Sequence, residues 1–301
     1  MLIMHERFDL KKWTAEFPLR KRKQFPCGPT LTSPAQVAVV EQQKRRAIEK
    51  ELPLGKRLPI DLCIWNWGEP PTREVTKIGG LPYWPATRPW PVDETHGPMT
   101  FIAQFWFTDS LDICGPLPGD ALLIFGSDSD YNGGLRFEWC SITTEPLMES
   151  RQIPSPNWPI QPCYASLLRT NEYPDAPEEA FGKERPLCDQ SRGGAGTKIG
   201  GFVEEYDYTI HLYSEQELKQ IPGAKEQHKA ALRSIERQKS RGPLLCRLES
   251  LSPTTKWPLI NIPERNWRDY GSANLLMIQD CGAINIFLGQ TGKLTHEVSS
   301  G

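Results

Sequence analysis

Asp128-Ser129-Asp130-Tyr131-Asn132-Gly133 sets side-chain oxygens at positions 1, 3 and 5 of a six-residue run and glycine at position 6. A calcium loop opens this way, because carboxylate and amide oxygens wrap a hard cation and the glycine permits the sharp turn. Position 12 of such a loop supplies a bidentate Glu. Here it is Trp139, and Glu138 stands one place early. The same residues read as an Asp/Asn/Gly turn joining two apolar runs, Leu122–Phe125 and Leu135–Trp139. The expectation is a hairpin turn. Asp128, Asp130 and Asn132 remain a candidate metal loop, and no cofactor is assigned.

A second group suits binding. Trp84-Pro85-Ala86-Thr87-Arg88-Pro89-Trp90-Pro91 is stiff and aromatic. Proline-rich backbone loses little entropy on docking, and Trp and Arg are frequent interface anchors. Trp84, Arg88 and Trp90 are therefore candidate partner-binding residues, with Asp128 and Asp130 adding charge. The alternative is a structural loop whose indoles plug the end of a β-sheet.

Other chemistry finds little support. A nucleophile needs a base within hydrogen-bond reach. His5, His96, His211, His228 and His296 stand in no recognised setting, and neither G-x-S-x-G nor H-E-x-x-H occurs. Cys114 with His96 is a pairing on paper only. Gly193-Gly194-Ala195-Gly196-Thr197-Lys198 lacks the phosphate-loop frame, since Thr197 precedes Lys198 and Ile199 follows it. The basic stretch Leu19–Phe25 carries no nucleic-acid motif. No catalytic residue is assigned, and an enzyme is the less favoured class.

The elements that must position these residues follow from composition. The 301 residues include 28 Pro, which excludes a mostly long-helical chain. Residues 1–60 hold 13 Lys/Arg against 6 Asp/Glu, and residues 61–301 hold 22 against 31, giving +7 and −9. The acidic body suits a basic partner. The eight cysteines are at least 23 residues apart, which excludes C-x-x-C redox and zinc-ribbon patterns. No apolar leader opens the chain and no apolar run of membrane-spanning length occurs. Reduced thiols and a cytoplasmic location are expected.

A helix is predicted from Ser33, its N-cap, to Leu52, and helical pieces from Ser214 to Arg241. Short runs bounded by Gly, Pro, Asn or Asp predict strands at 62–65, 100–107, 121–125, 135–139, 206–213, 274–278 and 283–288. Strands do not alternate regularly with helices, so the fold class is α+β, mostly antiparallel β. Seven prolines in 151–187 read as an extended surface connection.

One segment recurs. Lys77-Ile78-Gly79-Gly80 returns as Lys198-Ile199-Gly200-Gly201. Phe101-Ile102-Ala103-Gln104 and Leu122-Leu123-Ile124-Phe125 follow the first copy. Leu276-Met277-Ile278-Gln279 and Ile284-Asn285-Ile286-Phe287 follow the second. Lys77 to Gln104 spans 27 residues and Lys198 to Gln279 spans 81, so the second copy would hold an insertion. Two degenerate half-repeats are expected. Gly79, Gly80, Gly200 and Gly201 supply bends, and Gln104 and Gln279 satisfy stranded backbone groups.

Lys77–Pro85, Trp90-Pro91, Phe101–Gln104 and Pro116–Gly119, with the second K-I-G-G and Leu276–Asp280, make the chain resemble the YwqG-like family, a bacterial domain family of unknown function. The resemblance covers residues 61–290. It departs where Phe202-Val203 replaces an aromatic-proline pair and where Asp280-Cys281 shortens an acidic loop. It implies one compact domain, no established catalytic residues and a possible place in toxin–immunity systems. The resulting organisation is a basic segment, 1–60, with one helix; a domain, 61–292; and a tail, 293–301. Within the domain lie half-repeats 61–150 and 197–292, a proline-rich connection 151–196 and a helical insertion 214–241. The leading function is a non-enzymatic cytosolic binding protein, in its most concrete form an immunity protein docking on a toxin. The alternative is a metal-dependent enzyme or a calcium or small-ligand binder using Asp128–Asn132. The expected partner is a protein, with no membrane or nucleic acid.

Overall fold

The computed structural model describes residues 56–127, 134–158, 160–174, 196–203, 214, 217–226, 228–229, 232, 241–251, 259–260, 276–279, 282–289 and 291–299. The predicted helix 33–52, the strand 206–213 and the Asp128–Gly133 loop lie outside them, as does most of the basic segment.

Strands dominate. They are β1 (Leu58–Trp67), β2 (Lys77–Ile78), β3 (Val92–Asp93), β4 (Gly97–Pro98), β5 (Thr100–Trp106), β6 (Ala121–Gly126), β7 (Leu135–Cys140), β8 (Cys163–Glu172), β9 (Lys198–Gly200), β10 (Leu244–Glu249), β11 (Leu259–Ile260), β12 (Ala283–Leu288) and β13 (Leu294–Ser299). Two helical segments of four residues are α1 (Leu111–Cys114) and α2 (Glu217–Gln220). Apart from the β3–β4 hairpin and β11, which pairs with β1 in parallel, the strands join in the order β13-β12-β10-β9-β1-β8-β2-β5-β6-β7. All these neighbours are antiparallel. This is a mostly antiparallel fold with few short helices.

The order reads alike from both ends. β1 and β8 form the middle, paired over ten residues from Leu58↔Glu172 to Trp67↔Cys163. β1 does not pair with β2, the next strand in the chain. It takes β9 from the other half, and β8 takes β2. The pairing of one half then mirrors that of the other. Ala165 donates its N–H to the Thr76 carbonyl (2.8 Å) and Cys63 to that of Thr197 (2.9 Å). The β5–β6 register shifts between Phe101 and Ala103, and β10–β12 between Leu244 and Cys246. Ser127 N–H to Gly134 carbonyl at 3.0 Å matches Gly289 N–H to Lys293 carbonyl at 2.9 Å. The sheet curls until its two end strands face each other, with the rings of Phe137 (β7) and His296 (β13) 5.0 Å apart. The result is nearly a closed barrel, filled by Trp65, Phe105, Phe107, Ile124, Ile199, Leu248 and Ile286 among others. A second apolar layer lies outside β5 and β6.

Three expectations change here. Residues 163–172 are not a surface connection. They form β8 at the centre of the sheet, because the prolines stop at Pro162 and resume at Pro174. The tail 293–301 supplies β13, an end strand on β12. Leu276–Gln279 is not the counterpart of Phe101–Gln104. Leu276 makes only an isolated bridge with Leu251, and Gln279 sits at φ 47°. The residue beside Lys198 is Arg247, where the residue beside Lys77 is Gln104.

The paired glycines sit at positive φ. Gly80 and Gly201 hold φ of 68° and 82°, a region that costs other L-residues roughly 1–2 kcal/mol. A Cβ on Gly201 would lie 2.3 Å from Glu172 Oε2 and 2.6 Å from Ile60 Cγ2. Gly97 has a similar φ of 78° and no atom within 4 Å of such a Cβ. Gly97→Ala therefore costs about 1 kcal/mol, whereas Gly201→Ala adds a displaced buried carboxylate and costs about 3 kcal/mol or more. Denaturant unfolding of the two variants checks this difference. Equal costs would contradict it.

Candidate functional site

The repeated segment builds the same polar device twice. In each copy a lysine from the inner short strand turns back on its own loop. Lys77 Nζ donates to the Leu81 carbonyl, and Lys198 Nζ to the Phe202 carbonyl at 2.6 Å. Each loop N–H at that position is taken by a glutamate. Leu81 N–H donates to Glu69 (3.1 Å) and Phe202 N–H to Glu172 (3.0 Å). Each glutamate also faces its lysine, Glu69 at 3.5 Å and Glu172 at 2.5 Å. The threonine before each lysine joins in. Thr76 Oγ1 accepts from Trp106 N–H (2.9 Å) and Thr197 Oγ1 from Glu249 N–H (3.1 Å).

The two devices differ in burial. Lys198 and Glu172 are both 0% exposed. Glu69 is 43% exposed beside a buried Lys77. Burial pulls the Lys77 ammonium down to about 8, because the half-exposed Glu69 only partly offsets the lost hydration.

The rigid aromatic segment faces inward. Trp84 is 1% exposed. It meets Trp90 and Phe125 edge-on at 6.1 and 5.2 Å, and its Nε1 donates to the Arg88 carbonyl (3.1 Å). Arg88 lies 4.3 Å over the Trp84 ring, donates to the Trp139 carbonyl (2.8 Å) and pairs with Glu138. Trp90 Nε1 donates to the Met99 carbonyl at 2.8 Å. Trp84 thus packs against the sheet, which is the structural alternative raised by the sequence, and its ring offers a partner no surface. Arg88 and Trp90 keep partial exposure. Asp128, Asp130 and Asn132 lie outside the described residues.

The Gln104 side chain bonds three backbone groups. Its Oε1 accepts from Tyr83 N–H (2.8 Å), and its Nε2 donates to the carbonyls of Arg73 (2.6 Å) and Val75 (2.8 Å). Sequence reasoning missed a further cluster. Arg169 grips Asp61 through Nε (2.6 Å) and Nη2 (3.0 Å), reaches Asp112 on α1, and shares Asp61 with Ser110 Oγ (2.6 Å). Its members come from β1, β8 and the α1 turn, so no local spacing announces them.

Burial pushes every described thiol up: Cys63 and Cys246 well above the ordinary range, Cys114 and Cys163 to about 12, and Cys140 less far. These are protonated thiols rather than nucleophiles at neutral pH. The His96 ring bonds Asp93 (2.9 Å), its neighbour in the β3–β4 hairpin. Among the described residues no three His, Cys, Asp or Glu converge to hold a metal ion, and no helix is long and apolar enough to cross a membrane.

Lys77 predicts a pH effect. Its folded value of about 8 lies below its ordinary 10.5. The unfolded chain therefore holds the extra proton between those values, and stability from this group rises with pH across that window. Relative to Lys77→Met, the native chain should gain about 3 kcal/mol between roughly pH 7.5 and 10.5. The difference between the two unfolding curves cancels the opposing thiols. A flat difference would contradict a desolvated lysine.

No curated protein matches the chain. A family model described as a domain of unknown function (DUF1963) matches residues 76–290. That span runs from Thr76 through both K-I-G-G devices to the end of the β12 region, so the chain belongs to the DUF1963 family.

Proposed function

We propose that this chain is a non-catalytic cytoplasmic binding protein made of two degenerate copies of one β unit. In its most concrete form it is an immunity protein that docks on a basic toxin. One observation carries the reading: among the described residues, the carboxylates and thiols best placed for chemistry are spent on internal structure. Both oxygens of Asp61 are held by Arg169 and Ser110, and both oxygens of Glu172 by Lys198 and the Phe202 amide. Burial holds the five described thiols protonated. A sheet clamped in this way is a rigid platform. Rigid partners lose little entropy on association.

The mirrored strand order, the matched register shifts and the twin lysine devices support the duplication. The resemblance to the YwqG-like family supports the immunity role. The net −9 of residues 61–301 supports a cationic partner, since charge complementarity raises association rates. The partly exposed Arg88 and Trp90 are the candidate contacts, and Asp128 and Asp130 would add charge to them.

The test uses the protein captured from the native cell with the intact chain as bait, followed by kinetics on the purified pair. Reversing Asp128→Lys and Asp130→Lys together should slow association about tenfold at low salt and leave the melting temperature in place. Trp84→Ala should do the opposite, costing about 3–5 kcal/mol of stability through a core cavity. Unchanged association in the double reversal, or turnover of any substrate by the purified chain, would contradict the reading.

A further inference from the structure

The central strands carry an outer face that neither apolar layer accounts for. Side chains alternate along a strand. Cys63 and Trp65 of β1 turn into the barrel, so Ile60, Leu62 and Ile64 point the other way. The register sets Thr170 of β8 opposite Ile60 and Leu168 opposite Leu62 on that same side. Ile60 is 0% exposed, Leu62 and Ile64 are 1% exposed, and Leu168 and Thr170 are buried as well. None of the five belongs to the barrel core or to the layer outside β5 and β6. Aliphatic side chains buried this deeply on the outside of a sheet need an apolar cover, each gaining about 1.5–3 kcal/mol from it.

The segments outside the described residues differ in their fitness for that place. The 214–241 segment carries Ile221 and Leu232, and each is 44% exposed, so its apolar side is not spent on a sheet. Leu259–Ile260 is tied to the edge of β1 at Trp65 and Asn66. Residues 204–213 follow Phe202 as Tyr83–Trp90 follow Leu81 in the other copy. Tyr83, Trp84 and Trp90 cover β5 and β6, so the mirrored place for 204–213 lies outside β10 and β12. Residues 175–195 have Phe181 and Leu187 as their large apolar side chains, set among charges and prolines.

Residues 1–55 fit. They end three residues before β1 opens at Leu58. The helix that the sequence predicts there carries Val37, Val40, Ala47, Ile48 and Leu52 on one side and Arg46 on the other. Lys44 interrupts the stripe with a stem that can lie along apolar surface. From Val37 to Leu52 such a helix is about 22 Å long, which the ten-residue β1, about 33 Å long, accommodates. The six steps from Leu52 to Leu58 reach up to about 20 Å, enough to fold the helix back over the strand. Charge agrees, since +7 in residues 1–60 meets −9 in residues 61–301.

We propose that residues 33–52 dock on the outer face of β1 and β8, with Val40 and Ile48 against Ile60, Leu62, Ile64 and Leu168. The basic segment is then the cover of the central strands, an interface within the chain rather than an arm for an anionic partner. This does not rest on the platform docking a protein.

The test uses the full chain with a benzophenone amino acid placed in turn at Val40, Ile48, Arg46 and Tyr208, irradiated and mapped by peptide mass spectrometry. Val40 and Ile48 should cross-link within one chain to residues 58–67 or 163–172, and Arg46, on the opposite side, should not. Val40→Asp with Ile48→Asp should raise the fluorescence of an apolar dye several-fold, whereas Arg46→Asp leaves it level. Cross-links from Val40 and Ile48 to any other part of the chain, a product of dimer size, or no cross-link at all would overturn the proposal. So would capture of residues 58–67 or 163–172 from Tyr208, which would give the face to the 204–213 segment.

Discussion

A lysine ammonium held away from water needs compensation, and here the need arises twice. Lys77 and Lys198 each occupy a short inner strand where hydration is lost, and each is answered by a carbonyl four residues on and a glutamate from the preceding segment. The glutamate then takes the N–H of the same residue that gives the carbonyl. Only a backbone that doubles back within four residues closes this circuit, and the two successive glycines at positive φ provide it. A buried pair of this kind adds little net stability over an apolar core, but losing one partner is costly. Its effect is therefore on geometry. It fixes where the chain turns from the inner strand, and hence how each half meets the first strand of the other.

That exchange ties the halves together. β1 receives β9 and β8 receives β2, so neither half completes its own sheet. Closing such pairings between residues far apart in the chain, Lys77 with Tyr164 and Ile60 with Gly200, carries an entropic cost that grows only slowly with loop length. The sides of the sheet then diverge. The first half covers its outer face with Trp84, Trp90, Phe101 and Met148, whereas at the corresponding place the second half carries Arg247, Glu249 and Asn285. One framework thus carries an apolar layer on one side and a balanced polar cluster on the other.

What could be read from the sequence was local. The runs at 121–125, 135–139 and 283–288 are short, apolar and bounded by turn residues, and they are strands. The paired glycines and Gln104 carry a physical signature that survives at a single position. β8 was hidden because its burial is irregular, with Cys163 and Leu168 buried, Ala165 and Leu167 half-buried and Arg169 exposed, a weak alternation flanked by prolines. β13 was hidden because Thr295, His296 and Glu297 read as polar chain, and an end strand needs only partial burial. The sequence repeat paired Gln104 with Gln279 on residue type, and the register instead pairs it with Arg247. Glu172 lies 26 residues before Lys198 and pairs across the sheet with Leu58, so its role depends on contacts that no spacing rule encodes. Trp84 and Trp90 fit anchoring and packing equally well by residue type, and burial decides for packing in Trp84.

Native-state hydrogen exchange tests the central claim most directly, at the Cys63 and Ala165 amides. These two N–H groups donate to the Thr197 and Thr76 carbonyls, the points where each half accepts the other. If the twin clamps organise one interlocked sheet, both amides exchange only through global unfolding, with equal opening free energies and the same denaturant dependence. Exchange of either one through a local opening, with the other still protected, would show that the halves are held independently and would contradict the account.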